Sequence, residues 1–280
     1  MFLQYTSKDN ELSKSAYKSA THFIKTMDFA NENVPLHISD VRERLDRELV
    51  INKNYHSNTT LVIKRAHRVF PIIEPILKAN NIPEDFKYLA VIESGLVNVV
   101  SPAGARGVWQ FMPKTAEEAG LEVNSYVDER YHLQKSTMAA CQYLLKSKEK
   151  FGSWTLAAAA YNAGMAGIQK QMVAQSEGNY YDLLLNEETS RYVFRILALK
   201  EIMENPEKYG YDFMDDELYQ TIETNTVVVD TSINDLATFA KEQGINYKIL
   251  KIHNPWMRDK KLENKQNKIY EIEIPTEGYK

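Results

Sequence analysis

A single carboxylate is the first candidate for chemistry. From Pro83 to Ser94 the residues have the form of a short helix. Pro83 stands where a first turn tolerates proline, Glu84 and Asp85 suit the positive end, and Gly95 supplies a left-handed stop. Phe86, Leu89 and Ala90 share one face. Glu93, seven residues after Phe86 and four after Leu89, falls on that same face. Burial penalises the charged form of a carboxyl, so an acid aimed into apolar surroundings keeps its proton to higher pH. A general acid working near neutrality needs that property. Taken alone, the helix leaves a plainer outcome open, in which Glu93 swings out to solvent.

The neighbouring residues shift the balance toward a site. Ser94-Gly95 follows the acid, and after a short loop comes Ser101-Pro-Ala-Gly-Ala-Arg-Gly-Val-Trp-Gln-Phe-Met-Pro. Gly104 and Gly107 would let backbone approach a bound ligand. Gln110 carries both a donor and an acceptor, as recognition of an N-acetyl group requires. Trp109 and Phe111 could give a flat face to a sugar ring, with core packing the expected role for at least one of them. Further on, Ala157-Ala-Ala-Ala permits close helix packing, and Tyr161-Asn162 sets two polar groups at the end of that helix.

These residues need a scaffold, and the apolar spacing supplies a helical one. Residues 1–55 read as an amphipathic helical arm, with Ser39, Glu43 and the apolar series Val41, Leu45, Leu49 marking one helix. Residues 56–210 read as a dense all-α domain. Helices are expected over Leu61–Ala79, Pro83–Ser94, from Pro113 to Gly120, over His132–Phe151 closed by Gly152, over Ser153–Ala163 and over Glu188–Glu204. Residues 211–225 are acidic and form a linker or packed strap. Residues 226–280 read as β-α-α-β: a strand from Thr226, a helix to Gln243 opened by a capping box at Ser232, a second helix over Tyr247–Ile252, and an alternating strand from Ile269 to Pro275.

Composition narrows the function classes. The 280 residues carry 34 basic and 38 acidic side chains, a net charge of −4, which argues against a broad nucleic-acid surface. The uncharged stretch from Gly152 to Gln169 contains glycines and amides and is a poor membrane span. The N-terminus lacks a basic region followed by an apolar one, so the chain as it stands has no signal peptide. Cys141, the lone cysteine, excludes an intrachain disulfide and reads as a small core residue. The six histidines have no metal-ligand spacing, so neither a metal nor a cofactor is expected. Asp215-Asp216-Glu217 lacks a calcium-loop pattern and reads as a solvated turn.

Three motifs in order carry a resemblance: Glu93-Ser94-Gly95, then Gly107-x-x-Gln110-x-Met112-Pro113, then Ala160-Tyr161-Asn162-Ala163-Gly164. Together they resemble the signature of the soluble-type lytic transglycosylases, a goose-lysozyme-like helical family that cleaves peptidoglycan. Ile82-Pro-Glu-Asp-Phe-Lys-Tyr-Leu, and the run from Glu188-Thr-x-x-Tyr192-Val to Asn205-Pro-Glu-Lys-Tyr-Gly210, are similar to the membrane-bound D-type group of that family. Residues 226–280 are similar to a degenerate lysin-motif module. Its usual glycine-aspartate-threonine start is replaced by Val229-Asp230-Thr231-Ser232, and the loop from Arg258 to Lys268 is lysine-rich.

The resemblance implies a mechanism. Glu93 protonates the glycosidic oxygen leaving C1 of N-acetylmuramic acid in the MurNAc-β-1,4-GlcNAc bond. The same Glu then takes the proton of the muramic acid 6-hydroxyl, whose oxygen closes a 1,6-anhydro ring without water. By the same resemblance Ser94, Ser101, Gly107, Gln110, Met112, Tyr161, Asn162 and Tyr192 contact substrate or line the catalytic pocket, and Tyr192 reaches the catalytic acid. The implied partner is peptidoglycan, and the implied setting is the periplasm or cell envelope, with envelope anchoring an open question. A lysozyme-type hydrolase would need a second carboxylate, which the three motifs lack. A peptidoglycan-binding protein without turnover would be favoured by loss of the acid, yet Glu93 is present.

Overall fold

Runs of helix formers broken at glycine and proline set the order of elements. The computed structural model describes residues 24–277. A small hairpin, β1 (Asp28–Phe29) and β2 (Glu32–Asn33), precedes α1 (Ser39–Asn54) and α2 (His56–Ala79). Then come α3 (Lys87–Ser94), β3 (Val99–Val100), β4 (Arg106–Gly107), α4 (Pro113–Glu118), α5 (Leu133–Phe151), α6 (Trp154–Ala163), α7 (Met165–Gln175) and α8 (Glu187–Glu204). The chain closes with β5 (Thr224–Val229), α9 (Leu236–Glu242), α10 (Tyr247–His253) and β6 (Tyr270–Pro275). The architecture is mainly α, with the small βααβ module at its end that the residue patterns imply. The described residues form two compact units, 24–59 with 153–211 and 60–152 with 212–277.

In the first of these, α1 buries Val41, Leu45 and Leu49 at the expected helical spacing and packs against α8. Glu48 lies on the same buried face and is 2% exposed. It is held by a two-pronged bond from Arg191, Nε to Oε1 at 2.7 Å and Nη2 to Oε2 at 3.2 Å, which keeps the buried charge paired. The reading of residues 1–55 as a helical arm needs correction between 28 and 33. Ala30 and Asn31 take positive φ there, a tight hairpin turn, and Phe29 is fully buried. The part of that arm at 1–23 lies outside the described residues. Helix α7 went unread in the sequence. Gly164 breaks the chain before it, and of its side chains only Ile168 is buried, so it has no apolar period to announce it.

In the second unit, α2 passes through Pro71 and Pro75 without ending. Helix α3 is buried on every side from Lys87 to Ile92. The ammonium of Lys87 can be buried because it meets Glu74 at 2.8 Å and Glu84 at 2.5 Å. Burial opposes its charge, but these two carboxylates outweigh that and hold its pKa above the ordinary value. Cys141 lies fully buried on α5, its thiol pushed up to about 12 by burial, as befits a core residue. Residues 212–223 form a strap along α2: Tyr219 N–H donates to Lys64 O at 3.2 Å and Arg68 Nε to Gln220 O at 2.8 Å. Asp215–Glu217 is an exposed turn of that strap.

The terminal module pairs β5 with β6 antiparallel, in register from Thr224 opposite Pro275 to Val229 opposite Tyr270. The capping box expected at Ser232 is not the helix start. Asp235 caps α9 by accepting from Ala237 N–H at 2.9 Å, while Ser232 Oγ accepts from Asn264 N–H at 2.8 Å across the module. Asp235 is the better cap because its carboxylate meets the positive end of the helix directly. Fully buried Asn254 joins α10 to β6 by bonds in both directions with Glu273, Nδ2 to O at 2.7 Å and N to Oδ1 at 2.8 Å.

Candidate active site

The first motif sits where a helix ends. Glu93 occupies the last turn of α3, half-buried, directly after six buried residues. Gly95 takes φ +61°, and its N–H closes on Val91 O at 2.8 Å. Ser94 completes the turn: its hydroxyl donates to Ala90 O and accepts from Leu96 N–H, both at 3.2 Å. From α2, Arg65 Nη1 donates to Gly95 O at 3.1 Å. The acid therefore stands on a turn fixed by its own backbone, by a serine and by a neighbouring helix.

The second motif is a folded loop. Ser101 closes its first bend, with Oγ accepting from Ala105 N–H at 3.0 Å and its own N–H donating to Ala105 O at 2.9 Å. Arg106 and Phe111 exchange backbone bonds at 3.1 and 3.2 Å. Between them Gly107 has φ +82°, and a Cβ added there would lie 1.8 Å from Arg130 O. Gly107 thus admits the protein's own backbone, not a ligand's, which corrects the sequence reading of that glycine. Gly104, at φ +90°, has open space where a Cβ would go. Trp109 and Phe111 are both core residues, Trp109 donating from Nε1 to Thr137 Oγ1 at 2.8 Å.

Gln110 sits at φ +52° with its amide folded back onto the loop. Nε2 donates to Gly107 O at 2.6 Å and to Val99 O at 3.1 Å. Its donor end is committed to backbone, so in this state the side chain would meet a ligand through its carbonyl oxygen. The expectation that Gln110 offers both a donor and an acceptor narrows to an acceptor. Met112, 42% exposed, opens α4 ahead of Pro113.

The third motif belongs to the other unit and ends α6. Tyr161 is half-buried in its last turn. Asn162 is bound at both ends of its amide: Nδ2 donates to Glu188 Oε1 at 2.9 Å, and Oδ1 accepts from Thr189 Oγ1 at 2.8 Å. It fastens α6 to the first turn of α8. Tyr192, one turn further along α8, is 1% exposed. At the opposite end of α6, Glu32 accepts from Trp154 N–H at 2.6 Å, Thr155 N–H at 2.9 Å, and the hydroxyls of Ser153 and Thr155 at 2.8 Å each. Burial alone would raise its pKa, yet those four donors hold it down to about 2.

Several supporting residues escaped the sequence reading. Arg130 and Asp128 form a buried fork, Nε to Oδ1 and Nη2 to Oδ2 at 2.8 Å each. Arg130 Nη1 also donates to Gly104 O at 3.3 Å and Phe111 O at 3.2 Å, the two stems of the second-motif loop. The Asp-x-Arg spacing was the only available signal, and it is common on protein surfaces. Glu32 gave none, because its partners lie more than a hundred residues away. Among the described residues, no group of three or more His, Cys, Asp or Glu is placed to hold a metal ion, and no helix is long and apolar enough to cross a membrane.

Along the chain, a half-buried acid closes a short helix and is followed by a glycine-dependent loop and a small-residue helix. Residues 70–183 match the transglycosylase SLT domain, and residues 225–278 match the LysM-like domain found at the C-terminus of soluble lytic transglycosylases. The chain is thus similar to an SLT transglycosylase domain over its middle and to a LysM-like domain over its end. More particularly, it is 32% identical over 176 residues, 61% of its length, to membrane-bound lytic murein transglycosylase D of Escherichia coli strain K12. The protein of that name from Escherichia coli O6:H1 is similar to the same degree. The chain spans 38% of the length of these relatives. The SLT match contains all three motifs and stops before Tyr192.

Proposed function

We propose that this chain is a peptidoglycan lytic transglycosylase, acting at the bacterial cell envelope, with residues 56–210 as its catalytic domain, 211–225 as a linker strap and 226–280 as its terminal module. The observation that carries the reading is Glu93: a half-buried carboxyl on a fixed helix end, first of three ordered motifs inside the SLT match. In this reading Glu93 gives its proton to the glycosidic oxygen between N-acetylmuramic acid and N-acetylglucosamine. The C1–oxygen bond breaks, and the N-acetylglucosamine residue leaves with a restored 4-hydroxyl. Positive charge builds on the muramic acid ring, as in other oxocarbenium-like cleavages. The Glu93 carboxylate then accepts the proton of the 6-hydroxyl as that oxygen bonds to C1. The carboxyl ends protonated, as it began, and no water enters.

Gln110 contributes its carbonyl oxygen, suited to the N–H of an N-acetyl group. Ser94, Ser101, Gly107 and Met112 shape the surface of the loop that carries it. Tyr161 and Asn162, in the last turn of α6, and Tyr192, on α8, are the remaining residues assigned to substrate in this reading. Asn162 serves first by fastening those helices, which its two side-chain bonds support.

Mass spectrometry of purified peptidoglycan after digestion tests the reading. Wild type should release muropeptides about 18 Da lighter than hydrolytic products, and Glu93→Gln, with an unchanged circular dichroism spectrum, should release none. Reducing ends in place of anhydro ends would make the chain a lysozyme-type hydrolase. Binding without release by the folded wild type would make it a peptidoglycan-binding protein.

A further inference from the structure

The terminal module does not stand apart from the second-motif loop. Its core cluster includes two residues from outside the module, Val127 and Tyr131, packed with Trp256, Met257 and Tyr270. The backbones are joined as well. Val127 bridges Met257, Asp128 N–H donates to Trp256 O at 2.9 Å, and Arg258 N–H donates to Tyr126 O at 2.7 Å. The Arg258 guanidinium lies 4.2 Å from the centre of the Tyr131 ring, and Tyr270 Oη donates to Glu122 Oε2 at 3.0 Å. Segment 122–131 is thus held as if it were an extra strand of the module.

That segment also grips the loop. Asp128, whose N–H is bonded to the module, is the residue that forks with Arg130. Arg130 in turn binds the carbonyls of Gly104 and Phe111, and its own carbonyl fills the space against Gly107. Both residues are at most 3% exposed, so the fork is shielded from competing water. A continuous set of bonds runs from Trp256 and Met257 through Asp128 and Arg130 to the loop that ends in Gln110.

We infer that the LysM-like module is a brace for the second-motif loop, and that Asp128 and Arg130 are positioning residues through which it fixes Gln110 for substrate. The route to substrate rests on the reading of Gln110 as a substrate contact. The brace itself does not, and the two can be tested apart.

Hydrogen exchange on the full chain tests the brace. Met257→Ala at the joint and Arg130→Lys at the fork should each speed exchange of the amides from 104 to 112 by about 10-fold or more. Val228→Ala, an exposed change on β5 outside the shared core, should leave them unchanged. Unchanged loop exchange in Met257→Ala, or equal speeding in Val228→Ala, overturns the brace. A kinetic cycle tests the route. Arg130→Lys should lower kcat/KM by about 100-fold, mainly through KM, and that loss should vanish when Gln110 is already Ala. Full additivity of the two substitutions overturns the route through Gln110. Full activity of Gln110→Ala instead overturns the substrate-contact reading and leaves the exchange result to stand on its own.

Discussion

The second-motif loop and the junction of α6 with α8 are both prepared surfaces, but they are prepared by different means. The loop is shaped by backbone. A positive-φ glycine fits beneath a carbonyl, two strand residues pair with their hairpin partner, and one buried guanidinium draws both stems together. The surroundings of α6 and α8 are shaped by side chains: Glu32 of β2 caps one end of α6, Asn162 ties the other end to α8, and Arg191 of α8 reaches Glu48 of α1. Backbone shaping tolerates almost no change of residue type. Side-chain shaping degrades by steps, one bond at a time.

That contrast can be broken at its strong end first. Gly107→Ala would set a methyl carbon 1.8 Å from Arg130 O at a positive φ. The loss should exceed about 4 kcal/mol, read as a collapse of the urea midpoint or failure to fold. A variant with wild-type stability would mean the loop yields, and the contrast would fail. In the helix junction, Arg191→Met strands the buried Glu48 carboxylate. It should cost about 3 kcal/mol by the same measurement, with Arg191→Lys recovering part of the loss.

Glu32→Gln is the next step down, about 2 kcal/mol at pH 7 by thermal unfolding. Its pH dependence sharpens the test. The folded carboxyl titrates at about 2 against an ordinary value of 4.5. The folded state therefore binds fewer protons in that window, so the contribution of Glu32 is complete above 4.5 and fades as pH falls toward 2. Wild type and Glu32→Gln should converge in stability across that interval; parallel curves would deny the depressed carboxyl. Asn162→Ala should be the mildest, about 1 kcal/mol, since it loses two half-buried bonds that water can partly replace.

Legibility followed the same division. Helix ends marked by glycine were readable because left-handed caps are a local property: Gly95, Gly120 and Gly152 all fall where the pattern stops. The helix that carries Glu93 was readable from its stop at Gly95, but not its face: every residue from Lys87 to Ile92 is buried, so Phe86, Leu89 and Ala90 mark no single side. Of the terminal strands, β6 showed in its alternation and β5 in its β-branched residues. What stayed hidden was either non-local or weakly patterned. Asp128 and Arg130 act on residues some twenty positions upstream, and Glu32 acts on residues 153–155. At Ser232 two chemically valid caps lay three residues apart, and only the tertiary bond from Asn264 decided between them. Gln110 was identified by type, but its positive φ and committed donor end depend on the closed hairpin around it.

The solitary thiol has a practical consequence. Cys141 is buried, and its thiol is held protonated well into alkaline pH. Reactive thiolate is therefore scarce at the pH of ordinary maleimide coupling. A cysteine introduced at an exposed position, such as Leu184 on the surface before α8 or Val228 on the module, would be the sole labelled site in an otherwise native sequence. Fluorophores and spin probes could then report on the Glu93 turn, the loop and the module one at a time, with no background substitution in the core.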